Sequence, residues 1–116
     1  MNINKLQNQI KDFCEARDWT QFHNPKDLAI GISTEANELL DIFRFKSKEQ
    51  IEEMMNNPET RGKISDELAD TFFFLLRFAQ MNDIDLVEAL NCKLQKNNEK
   101  YPVEKVTGKN LKYNEY

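Results

Sequence analysis

The chain has 116 residues, 40% hydrophobic and 31% charged, with three Gly and three Pro, which suits one compact domain with no room for a second. Twenty acidic against 16 basic side chains leave a net charge of −4 and no basic field for a nucleic acid polymer. A small phosphorylated ligand stays open, because bound metal reverses the sign of an acidic site.

Cys14 and Cys92 lack CxxC spacing, and with a single histidine they cannot furnish an ordinary zinc cluster, so both read as reduced packing residues. The opening MNINKLQNQIKDF has no apolar signal core. No stretch approaches the roughly 20 apolar residues that cross a bilayer. The chain therefore reads as cytoplasmic, without a membrane partner.

Apolar residues recur at three- and four-residue spacing, which predicts an almost entirely helical fold: a four-helix, bundle-like protomer with an extra short helix. A first helix is expected over about 3–17, where Leu6, Ile10, Phe13 and Cys14 share a face. The segment 18–24 interrupts it. Asn24 can cap a second helix that starts at Pro25, whose missing N–H sacrifices nothing there, and runs to about Phe45.

Ser47 can cap a short helix over 48–56, ending before Pro58. The third long helix, about 59–81, is the most apolar. Asn82 and Asp83 end it, Asp85 can cap a fourth through about Lys100, and Tyr101-Pro102 closes that one. A domain over 1–102 and an irregular tail over 103–116 follow. One thin bundle cannot cover so much apolar surface, Phe72-Phe73-Phe74 above all, and a dimer at least is expected.

Glu35 and Glu38, and again Glu67 and Asp70, stand three apart, which makes neighbours on one side of a helix. Spacing alone is weak evidence in a chain with 20 acids, since most such pairs are solvated. Their setting adds weight. A wheel at about 100° per residue puts Glu35 between Leu28 and Ile42, inside the arc that also holds Ile32 and Leu39, with Glu38 at its edge beside Gly31. Glu67 and Asp70 flank Phe74.

Carboxylates buried together protonate or recruit cations. Arg77 offers Asp70 an ion pair; a hard divalent ion such as Mg²⁺, with Mn²⁺ as a substitute, can serve all four.

These residues resemble the MazG-like, all-α nucleoside triphosphate pyrophosphohydrolases, and within them the dCTP pyrophosphatase-like branch. That family carries ExxE, a spacer, then ExxD. Glu35-Ala-Asn-Glu38 and Glu67-Leu-Ala-Asp70 match, with residues 39–66 between. The likeness extends through Arg17-Asp18-Trp19, Gln21-Phe22-His23, Asn24-Pro25, Leu28, Phe45-Lys46, and the Lys93, Asn97, Tyr101-Pro102 run, over about residues 5–102.

The resemblance implies that Glu35, Glu38, Glu67 and Asp70 coordinate Mg²⁺. It implies that Trp19 and Phe45 hold the base, Phe45 standing where relatives have Trp, and that Lys93, Asn97 and Tyr101 contact sugar or phosphate. Phe74 replaces a Tyr, which removes a hydroxyl near the sugar. Relatives of this branch look like tetramers built from two dimers, so a homodimer or homotetramer is implied.

The implied reaction is hydrolysis of a (deoxy)nucleoside triphosphate to monophosphate and pyrophosphate, as nucleotide-pool house-cleaning with dCTP the first candidate. Metal screens the triphosphate and activates water, which Glu38 or Asp66 can orient or deprotonate. No Ser/His/Asp or Cys/His nucleophile is evident.

Trp19, Phe22 and His23 cluster in a loop, where binding residues concentrate, although an anchor role explains Trp19 and loop hydrogen bonding explains His23. Lys46 can neutralise phosphate, as can one stripe of Lys93, Asn97 and Lys100. The alternative is a non-catalytic helical interaction module in which Asp70 pairs with Arg77 and the other acids are structural. A further reading keeps the enzyme and changes the substrate, to a phosphoribosyl-nucleotide or an oxidised base.

Overall fold

The computed structural model describes residues 2–111 and 115, and among these every regular element is helical. In order they are α1 (Ile3–Ala16), a 3₁₀ turn (Thr20–Phe22), α2 (Pro25–Phe43), α3 (Lys48–Asn56), α4 (Pro58–Met81), α5 (Leu86–Lys100) and the single turn α6 (Val103–Val106). The all-α class and the five helices α1 to α5 are as expected; the 3₁₀ turn and α6 are additional. No helix among the described residues is long and apolar enough to cross a membrane.

Capping sets most boundaries. The Asn24 side chain accepts from the Asp27 N–H with Pro25 in the first turn, and Asp85 accepts from the Glu88 N–H. Ser47 and Gln50 form a reciprocal capping box. Asn57 ends α3 and also caps α4, its side chain accepting from the N–H groups of Glu59 and Thr60, so Pro58 opens the long helix. Helix α2 stops at Phe43, two residues short of expectation, because Arg44 leaves the helical region at ψ 137° and Phe45 follows it left-handed at φ +61°.

The chain divides into two compact units, Met1–Asp83 and Ile84–Tyr116. In the first, α4 is the spine: α2 packs along it, with α1 and α3 as further neighbours. Its fully buried centre is small, comprising Cys14, Leu28, Ile64, Leu76, Ala79 and, among them, Arg77. Leu68, Phe72 and Leu75 on α4 remain substantially exposed, so the other helices of this unit do not cover α4 on all sides.

Cys14 packs as expected, and burial pushes its thiol up, which disfavours the nucleophilic thiolate. Cys92 does not: it is exposed on α5, a helix on which no residue is buried. In the second unit α5 is followed by one helical turn, α6, inside the segment expected to be irregular. Lys112 to Asn114 and Tyr116 of that tail lie outside the described residues.

Candidate functional site

Helices α2 and α4 each carry a carboxylate in the middle of an inward stripe. On α2 the stripe is Leu28, Ile32, Glu35, Leu39 and Ile42; on α4 it is Ile64, Glu67, Thr71, Phe74 and Phe78, with spacings of three and four. Leu28 and Ile64 are buried and the rest half-buried. Packing α2 on α4 therefore brings Glu35 and Glu67 together in mostly apolar company.

Glu38 joins them from its exposed position, each of the three offering an oxygen within 4.8 Å of the others. Oε2 of Glu35 and Oε2 of Glu67 are buried without a hydrogen-bond partner. Burial first, then hydrogen bonding with Glu38 and Glu67, then the charges of Glu38 and Asp70 push the Glu35 carboxyl up to about 7. Glu67 is raised by burial and by Glu38, against which its hydrogen bond with Glu35 works. Near neutrality the cluster holds a proton that belongs to the pair.

Buried carboxylate oxygens without donors, converging within reach of a single ion and open on the Glu38 side, fit a hard divalent cation that keeps some positions for water or phosphate. Asp70 is exposed and outside the 4.8 Å cluster, yet its charge raises both Glu35 and Glu67. Asp66 is exposed and also outside the cluster.

One turn beyond Asp70, the Phe74 ring lies over Gly31: a Cβ there would stand 2.8 Å from ring carbons. Edge-to-face contacts continue from Phe74 to Phe73 at 5.4 Å, from Phe73 to Phe13 at 6.1 Å, and from Phe13 to Trp19 at 5.5 Å. This aromatic run connects the carboxylate-bearing helices to the Trp19 loop. Trp19 is 41% exposed, with Phe13 itself under the Arg17 guanidinium at 3.7 Å.

The Asp70–Arg77 pairing of the alternative reading is not formed. Arg77 is buried and donates to His23 Nδ1 at 3.1 Å, Gln80 Oε1 at 2.8 Å and Thr20 Oγ1 at 3.1 Å, all neutral acceptors. The two residues share a helix, but the packing of the 20–23 loop against α4 draws the guanidinium the other way. His23 is committed to that contact through Nδ1, and burial, then Arg77, hold its pKa below the ordinary 6.5.

Phe45 is 92% exposed, its ring under the Arg44 guanidinium at 4.9 Å. Lys46 lines a shallow pocket with Gln50, Glu53, Met54, Asn57 and Thr60. In the second unit Lys93 and Asn97 stand four apart on α5, and the Tyr101 N–H caps that helix on the Asn97 carbonyl, with Lys100 Nζ 6.0 Å from the Tyr101 ring.

The sequence reasoning named Gly31 and Arg77 but missed their structural roles, the close approach to Phe74 and the tie to the 20–23 loop. Gly31 had a signal, a glycine inside a helix with no turn to make. Arg77 had another, a lone cation within the run from Phe72 to Ala79.

The sequence profile of the MazG-like family matches residues 30–116, reaching past Pro102, where the residue-by-residue likeness ended. The dCTP pyrophosphatase 1 of Bos taurus is 33% identical over 102 residues, covering 88% of this chain and 60% of that protein. The Homo sapiens protein of the same name is 30% identical over 104 residues, covering 90% and 61%. The chain thus spans about 60% of the length of the curated relatives it matches. A pyrophosphatase crystal structure from Archaeoglobus fulgidus superposes with a TM-score of 0.79 at 34% identity, covering 85% of this chain and 91% of that one. Paired acid motifs on two packed helices, a profile match over most of the length and a shared fold agree: the chain belongs to the MazG-like family.

Proposed function

We propose that the chain is a divalent-cation-dependent nucleoside triphosphate pyrophosphohydrolase, releasing monophosphate and pyrophosphate, with dCTP the first substrate to try. The observation that carries this reading is the pair of orphaned oxygens on Glu35 and Glu67 beside Glu38. The names of the relatives support the same chemistry and suggest the substrate.

Glu35, Glu38 and Glu67, with Asp70 alongside, would hold Mg²⁺, or Mn²⁺ in its place. Bound there, the cation supplies charge neutralisation for the triphosphate and acidifies an attacking water. Glu35 and Glu67 are anchors, fixed by their apolar stripes. Glu38, the exposed member, faces incoming solvent and orients that water by accepting its hydrogen bond, a role for which Asp66 is placed less well. In the first unit Trp19 and Phe45 offer aromatic faces for a base, with His23 acting behind the loop and Lys46 proposed for phosphate; in the second unit Lys93, Asn97 and Tyr101 are proposed, on the resemblance alone, as residues that contact sugar or phosphate. Phe74, packed over Gly31 where relatives carry Tyr, would bring no hydroxyl to the sugar.

The exposed stripe Leu68, Phe72 and Leu75 supports a second copy of the chain as its cover, in a homodimer or homotetramer. The interaction-module alternative loses the Asp70–Arg77 pair on which it relied.

A panel of canonical and modified (d)NTPs, with and without Mg²⁺, tests the proposal when pyrophosphate and orthophosphate are measured separately. Mg²⁺-dependent pyrophosphate release is expected. Orthophosphate as the first product would overturn the cleavage position.

A further inference from the structure

We propose that Arg77 is a positioning residue for nucleotide binding: its buried guanidinium, through Thr20 and His23, fixes the orientation of the Trp19 loop. The part concerning nucleotide rests on the reading of Trp19 as a base contact.

A guanidinium that is 2% exposed is expensive to desolvate, and such a charge ordinarily has a carboxylate beside it. Arg77 hydrogen-bonds three neutral acceptors instead. Two of these, Thr20 and His23, lie 57 and 54 positions away and bracket the 3₁₀ turn. Because the donors belong to one rigid planar fork, they set the turn's orientation and not only its distance from α4.

The turn itself is closed by the Phe22 N–H on the Trp19 carbonyl at 2.9 Å and the His23 N–H on the Thr20 carbonyl at 3.1 Å. Trp19 is thus carried on a short rigid piece with Arg77 behind it and Phe13 of α1 against its ring. The third acceptor secures the base of the device. Gln80 Nε2 donates to the Gln7 carbonyl at 3.3 Å and Gln7 Nε2 to the Leu76 carbonyl at 3.0 Å, locking α1 to α4 beside the guanidinium. An apolar side chain at 77 would give equal packing more cheaply, so the fork serves placement beyond stability.

Trp19 is the single tryptophan of the chain, so tryptophan emission, excited at the red edge where the three tyrosines do not absorb, reports this loop alone. The test compares the full chain with Arg77→Met, which keeps the stem and removes the donors; Arg77→Lys, which keeps charge without the fork; and Thr20→Val, a mild change at an exposed acceptor. In Arg77→Met, Trp19 emission is expected to move to longer wavelength with stronger acrylamide quenching. KM for dCTP should rise roughly tenfold or more while kcat stays within about threefold. Thr20→Val should follow in the same direction with smaller changes, and Arg77→Lys should restore part of the loss.

A folded Arg77→Met protein with parental Trp19 emission and KM overturns the proposal, as does a loss confined to kcat. If Arg77→Met does not fold, Thr20→Val decides, and parental emission and KM there overturn it equally. Should the parent protein hydrolyse no triphosphate, the proposed function has failed by itself, while Trp19 emission in the variants still decides whether Arg77 positions the loop.

Discussion

The Phe74 ring fills the space where a side chain at position 31 would begin, so Gly31 and Phe74 set how closely α2 and α4 approach. Gly31 stands one turn before Glu35, and Phe74 one turn after Asp70. The contact therefore fixes the separation of the two carboxylate-bearing helices. Gly31→Ala, though a better helix former, should destabilise the protein by about 1–3 kcal/mol through overpacking and should weaken Mg²⁺ binding. Thermal melts with and without Mg²⁺ measure both; an unchanged melt would mean the ring yields freely.

The raised Glu35 and Glu67 carboxyls make stability without metal depend on pH. A carboxyl whose folded pKa exceeds its unfolded value contributes stability that is complete below about pH 4.3 and is lost as pH rises through the folded value, about 7 for Glu35. In EDTA the melting temperature should fall between about pH 5 and 8. Mg²⁺ should reverse the trend, because it replaces the proton. Glu35→Gln should flatten the EDTA profile and abolish the Mg²⁺ response. A metal-free profile that is flat in the parent protein would contradict the burial of these acids.

Glu38 is the exposed member of the cluster, and its removal should separate chemistry from folding. Glu38→Gln is expected to keep its helical circular dichroism and lower kcat by roughly 10²-fold or more. Asp66→Asn should retain most activity. The reverse ranking in pyrophosphate release would move the water-orienting role to Asp66.

His23 gives a second pH signal of opposite sign. Its folded pKa lies below the ordinary value, so its contribution to stability is present above the unfolded value of about 6.5 and is lost as pH falls through the folded one. Protonation also places a second cation against Arg77 Nε and removes the acceptor at Nδ1. Trp19 emission should therefore change on acidification through the folded His23 value, which lies below 6.5, and stay constant in His23→Gln. A parental response that survives the substitution would assign the transition to another group.

Much of the fold was legible because its determinants are local. Asn24-Pro25, Ser47 and Asp85 state their helix starts within four residues of chain, and the setting of Glu35 follows from its own helix wheel. What depends on distant partners was not legible. A wheel shows that Arg77 and Asp70 share a helix, but the acceptors that decide where the guanidinium points lie in the loop at Thr20 and His23. The approach of Phe74 to Gly31 is likewise a property of two helices, and the left-handed Phe45 that shortens α2 has no glycine to announce it.

Phe45 also separates two ways of optimising this chain. A left-handed backbone at a non-glycine residue is strained by roughly 1–2 kcal/mol, and here the strained residue presents an almost fully exposed aromatic ring. A designer selecting only for thermal stability would put Gly or Asn at this corner and discard the ring with the strain. Position 45 is thus a place where a stabilised redesign and a working protein are expected to part company, and it belongs on the short list of residues to hold fixed when the scaffold is engineered.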